Sequence, residues 1–372
     1  MQQETVKYWA KLTLSSVVQV ILYHIGLFFS AVVMMLLMRS NVIQVPVYFV
    51  FYLVPLQFLL VRKGREAFIY RIFISFVILI LFRFYMASSV AKNIEEMTIT
   101  RPEFSILKDV GAVVLPLIMI ELVTLASLVG GLALINLYQD RRWGTLYKLL
   151  FATAGATGIG VVMTLVLSAD RGFVIAMEKL FAEAMGYLGE MVREMSGIQG
   201  GDAAVEPLRG LDTTLLMKSF WYYVIGGLAF GYFMNLSITW YVTKIWEART
   251  YGREVKRLVD FHLPDNFIWP LIGSWSVVLL GRFVNLYSLE IIAWNGGLVF
   301  LFLFGLQGMG ILRHFMRKYR ISQRLHLLIG IGFFIVIFFP PLTIALFVLV
   351  PGLGVSEVWI KHRMERKETD EE

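Results

Sequence analysis

The sequence predicts an all-α protein: a polytopic transmembrane helix bundle of about ten spans (nine in the alternative), with both termini cytoplasmic and one outer amphipathic helix. Three observations lead there. Hydrophobic residues fill 58% of 372 positions and charged residues 16%, with a mean hydropathy of +0.70, a balance outside the range of soluble domains. The apolar residues gather in runs of roughly 20, the length that crosses a hydrocarbon layer as a helix. The loops between runs alternate between basic and neutral or acidic.

In chain order the runs are Leu12–Met38, Val42–Val61, Ala67–Tyr85, Val110–Leu137, Leu146–Leu167, Phe220–Tyr241, Phe267–Val284, Leu289–Leu312, Ile321–Phe339 and Leu342–Ile360. The first is too long for a signal-peptide core and is followed by no small-residue cleavage site. The last two are divided only by Pro340-Pro341, which suits a turn between two helices or a kink in one.

Charge orders these runs. Arg62-Lys63-Gly64-Arg65, the Arg141-Arg142 stretch with Lys148, the stretch from Arg249 to Arg257, and Arg313 to Arg324 are basic. They alternate with a short loop at Asn41, a near-neutral loop over 86–109, an acidic one over 169–219 and a short one near Tyr287. Excess Lys and Arg mark cytoplasmic loops, so the N-terminus and the four basic loops are expected inside. The basic tail from Lys361 to Lys367 is then inside only if the number of spans is even. Trp9, Trp143, Trp221, Trp246, Trp269 and Trp359 lie near run ends, where indoles anchor at headgroup level.

The acidic loop carries the amphipathic helix, expected over 172–196. Phe173, Met177, Leu180, Phe181, Ala184, Leu188, Met191, Val192 and Met195 recur at helical spacing, with charged residues opposite. Such a helix lies on the membrane, packs on the bundle, or lids an outward cavity.

Several chemistries are excluded or unsupported. The chain has no cysteine, so it has no disulfide, thiolate metal site or cysteine nucleophile. His24, His262, His314, His326 and His362 are scattered without metal-ligand spacing. No hydrolase, nucleotide-binding or intramembrane-protease motif is present, so an enzyme is not expected, nor a cofactor, a metal or a nucleic-acid partner. The net charge of +7 sits in inter-span loops, where it sets topology and contacts anionic lipid headgroups of the bilayer.

Ionisable residues inside spans are costly and therefore mark function. Glu121 lies near the middle of the fourth run, Arg83 ends the third, Arg282 ends the seventh and Glu290 begins the eighth. Charge order places all four towards the outer side, as a candidate solute or proton site, or alternatively as internal ion pairs and snorkelling arginines. The amides Asn235, Asn295 and Gln307, with Gln19 and Asn136, are expected to bond helices to one another, and His24 to be a hydrogen-bonded packing residue. Glycines at 226–227, 231, 296–297, 305, 308 and 310 permit close helix approach.

The chain also resembles a known family. The order is Arg62-Lys63-Gly64, Asn235, then Phe261-His262-Leu263-Pro264-Asp265-Asn266 with Trp269. Asn295, Leu306-Gln307-Gly308 and a Gly352-Leu353-Gly354 turn before Trp359 follow. This order resembles the YybS-type bacterial membrane proteins, a family of unknown function. The resemblance implies a multi-pass protein of the bacterial cytoplasmic (inner) membrane. It also implies fold-level similarity to the S-components of energy-coupling-factor vitamin transporters and to the rod-shape protein MreD. On that basis residues 1–247 form an S-component-like bundle of six spans, 248–362 a bundle of about four, and 363–372 a charged tail.

Two functions follow as expectations. One is binding or transport of a small solute through an outward-facing cavity near Glu121, Arg83 and Arg282. The other is a non-transporting, MreD-like scaffold for membrane or cytoplasmic protein partners.

Overall fold

A computed structural model describes residues 2–37, 49–63, 65–100, 110–137, 144–179, 182, 213–252, 260–284, 286–322, 332 and 340–360. Every regular element among them is a helix. The first five are α1 (Gln2–Leu37), α2 (Val50–Lys63), α3 (Arg65–Thr100), α4 (Val110–Leu137) and α5 (Thr145–Ala169). After Asp170 comes α6 at 171–179, then α7 (Thr213–Tyr251). A 3₁₀ turn at Asp265–Phe267 leads into α8 (Ile268–Leu280), followed by α9 (Tyr287–Lys318) and α10 (Pro340–Ser356).

Four of these helices contain stretches long and apolar enough to cross a membrane: Glu66–Ser89, Val113–Asn136, Thr145–Ala169 and Leu289–Lys318. They coincide with the third, fourth, fifth and eighth predicted runs. Shorter apolar helices lie within the second, seventh and tenth. The ninth run falls outside the described residues except for Ile321, Ser322 and Gly332. Large apolar side chains face outward along these helices, including Phe73, Leu81, Phe151, Val162 and Leu165. In water such a surface would drive association; against lipid it is the matched solvent.

Helix boundaries depart from the predicted loops in three places. The stretch 86–109 is not a loop throughout, because α3 continues to Thr100. Its added residues include the helix formers Ala91, Lys92, Glu95 and Glu96, and the first proline is Pro102. Likewise α7 runs past Tyr241 and into the basic stretch as far as Tyr251, where Gly252 takes a positive φ of 64° and ends it. Gly352-Leu353-Gly354 is not a turn: α10 passes through it, and the chain turns only at 357–359. The glycines there serve helix crossing. A methyl group on Gly308 would overlap the Val350 carbonyl oxygen, and one on Gly354 would overlap that of Phe304, so α9 and α10 touch backbone to backbone.

The chain forms two compact units. One comprises residues 1–25, 49–228 and 235–239; the other comprises 26–48, 229–234 and 240–372. In the first unit α2 packs on α3 and α4, α3 on α4, and α4 on α5. Asp170 breaks α5 and caps α6, its carboxylate accepting from the backbone N–H of Gly172 (2.9 Å) and Phe173 (3.4 Å). The apolar face of α6 (Phe173, Ala176, Met177) then buries against Val113 of α4 and Leu167 of α5. The described part of the expected amphipathic helix therefore packs on α4 and α5; the remainder of 172–196, apart from residue 182, lies outside the described residues. In the second unit α9 packs between α8 and α10.

Candidate functional site

Residues 101–109 join α3 to α4, and nine residues are too few to run back along either packed helix, so the two are antiparallel. Arg83 stands six residues before Ser89 and Glu121 eight after Val113, or about 9 and 12 Å along their axes from the same end. Matched depth lets them meet. Arg83 Nη2 donates to Glu121 Oε1, and the Tyr23 hydroxyl of α1 donates to that same oxygen. The two charged side chains are 20% and 16% exposed, whereas Tyr23 is fully buried. The Arg83 guanidinium carbon also lies 6.0 Å from the Tyr23 ring centroid.

His24, the next residue on α1, packs edge-on against Phe82, with ring centroids 4.6 Å apart. Its Nδ1 is 2.7 Å from the Val20 carbonyl oxygen. A carbonyl only accepts, so Nδ1 carries the proton and neutral His24 presents a lone pair at Nε2. Among the described residues, His24 Nε2 and Arg83 Nε are buried without a hydrogen-bond partner. The expectation that His24 is hydrogen-bonded holds at one nitrogen only.

A second polar group lies further along α3. Arg71 is 8% exposed; its Nε donates to Gln19 Oε1 (2.6 Å) and its Nη2 to the Ser15 carbonyl (2.9 Å). Gln19 Nε2 in turn donates to the Tyr52 carbonyl (3.0 Å), and the Tyr52 hydroxyl meets Ser75 Oγ at 2.5 Å. Tyr52 packs edge-on against Tyr23, with centroids 5.8 Å apart. Residues 71 and 75 share one face of α3 through four-residue spacing; Arg83, twelve residues beyond Arg71, is rotated from it by about 120°, and about 18 Å separates the two arginines along the axis.

Sequence reasoning finds Arg83 and Glu121 but misses Tyr23, Arg71, Tyr52 and Ser75. A tyrosine or serine in an apolar run looks like core. Arg71 carried a usable signal, a second arginine within the third apolar run.

The amides behave as helix glue. Gln57 and Asn136 exchange two bonds between α2 and α4 (2.7 and 2.8 Å). Asn295 accepts from the Ala229 backbone N–H (2.7 Å). Gln307 accepts from Leu263 N–H (2.8 Å) and donates to the Gly354 carbonyl (2.9 Å), tying the 261–266 segment and α10 to α9. Asn235 is buried in α7.

Arg282 and Glu290 belong to the second unit. Arg282 is exposed at the turn after α8, whereas the Glu290 carboxylate lies beside Gly281, 3.0 Å from where a Cβ would stand. No ion pair joins the two among the described residues. Nor does any group of three or more described His, Asp or Glu residues have the geometry to hold a metal ion.

Comparison with known proteins bears on identity. The family described as "Predicted membrane protein (DUF2232)" matches residues 104–352, which is 249 of the 372 positions. The chain belongs to this family of membrane proteins. The matched region includes Glu121 and the whole α8–α9 hairpin, and it begins after Arg83. No curated protein and no solved structure matches the chain.

Proposed function

We propose that this membrane protein binds a small solute at Glu121, Arg83, Tyr23 and His24 and carries it across the bilayer. The observation that supports this reading is the set of side chains around Glu121. An ionised pair within apolar helices is costly, and here two buried nitrogens beside it, Arg83 Nε and His24 Nε2, have no partner among the described residues. A purely structural pair would be expected to satisfy such groups. By loop charge the pair stands in the outer half of a bacterial inner membrane, in a multi-pass chain with cytoplasmic ends. The S-component-like fold that the family resemblance implies would put a solute site in the N-terminal bundle. No catalytic role is assigned.

The alternative, a non-transporting scaffold, draws on a different observation: Arg83 and Glu121 neutralise each other, and amide pairs plus backbone contact make rigid helix packing.

Native mass spectrometry of the protein in lipid discs separates the two. The expected result is a retained small molecule, lost in Arg83→Gln and kept in Arg282→Gln. An apo monomer that moves neither protons nor solutes in liposomes overturns the solute reading. A co-purifying membrane protein without a retained small molecule supports the scaffold.

A further inference from the structure

Arg83 holds Glu121 with half of its binding edge. The Nε and Nη2 hydrogens of a guanidinium point the same way and form a fork that fits both oxygens of one carboxylate. Here Nη2 is engaged, yet Nε, the other tooth, is buried without a partner among the described residues. Glu121 offers a single oxygen to two donors, Arg83 and Tyr23. The donor set is built for a carboxylate, and its resident carboxylate fills it incompletely.

We propose that the ligand is a small monocarboxylate that takes both teeth of the Arg83 fork, and that Glu121 yields its place by accepting one proton. The inference rests on the solute-binding reading and names the solute's class. Charge balance requires the proton. Arg83 and Glu121 are neutral as a pair; a monoanion added to them leaves one uncompensated charge at membrane depth, where it is disfavoured. With one proton from the aqueous side on a Glu121 oxygen, Glu121 is neutral and the ligand carboxylate pairs with Arg83. No bond other than that O–H forms, and ligand and proton arrive and leave together. Protonated Glu121 is itself a donor, and the His24 Nε2 lone pair is a buried acceptor in the same cluster. Among the described residues, the titratable and charged groups around Glu121 are Tyr23 and His24 on α1 and Arg83 on α3, with Tyr52 on α2 behind Tyr23. Tyr52 is committed to Ser75, and Arg71 is remote.

The test uses the full-length protein in lipid discs, with lactate, pyruvate and gluconate as probes. Thermal unfolding and calorimetric titration are run between pH about 5.5 and 8 in two buffers of different ionisation enthalpy. The expected wild-type result is binding of at least one probe with uptake of one proton, weakening as pH rises. Glu121→Gln binds with no proton uptake and no such pH dependence. Arg83→Lys keeps the charge and the fold but lacks the fork, and loses at least about tenfold in affinity. Binding without proton uptake in the wild type overturns the proposal. So does failure of all three probes on both the wild type and Glu121→Gln, or protection by phosphatidylglycerol alone. A retained molecule without a carboxylate sinks this proposal while leaving the solute reading intact.

Discussion

Glu121 and Arg83 each offset a cost that the other would otherwise carry. Alone at membrane depth, either charge is unfavourable; together, with Tyr23 donating to the shared oxygen, they are tolerated. Removing one member should therefore hurt more than removing both. Glu121→Leu or Arg83→Met should each destabilise the protein by on the order of 3 kcal/mol, and the double variant should recover most of it. Unfolding in detergent, read as a double-mutant cycle, measures this; additive losses would show that the pair is not coupled. At this scale the sequence is legible where an error is expensive. A charge in an apolar run announces itself, but Tyr23 does not, because its hydroxyl becomes informative only once Glu121 is placed beside it. Arg71 shows the limit from the other side: it is charged and buried, yet its partners Gln19 and the Ser15 carbonyl are uncharged and more than fifty positions away.

Helices are easier to find than to delimit. Hydropathy marks where a run enters and leaves the apolar layer, but a helix ends only where its backbone bonding fails. Hence α3 and α7 run past Tyr85 and Tyr241, since their polar continuations contain good helix formers. Glycine is ambiguous for a related reason, since it permits both turns and close approach. At 352–354 it reads as a turn, whereas Gly354 is in fact the surface on which α10 meets α9. That contact yields a paired prediction. Gly308→Ala should destabilise the α9–α10 crossing by at least about 1–3 kcal/mol, because backbone must move to admit the methyl group. Gly305→Ala, whose new methyl would stand 3.6 Å from Pro351, should stay within about 0.5 kcal/mol. Thermal unfolding of the two variants side by side checks the contrast, and equal losses would refute it.

At the scale of the whole chain, orientation is the quantity that loop charge alone supplies. The absence of native cysteine makes it directly measurable. Introduced singly, Ser168→Cys at the end of α5 that loop charge assigns to the outside should react with an impermeant maleimide on intact cells, and Lys318→Cys at the end of α9 should react only after lysis. The reverse pattern would invert the topology and put Glu121 in the inner half. The string of side chains on α3 carries a mechanical consequence whichever way the chain faces. Arg71, Ser75 and Arg83 are tied to α1, α2 and α4. A slide of α3 by one turn, about 5.4 Å, would shear all of these ties at once. In α4, by contrast, Pro116 supplies no N–H to the turn before it, five residues from Glu121. The first three helices are thus latched to one another, and on the solute reading proposed above it is α4 that would move, bending at Pro116 to draw Glu121 off Arg83.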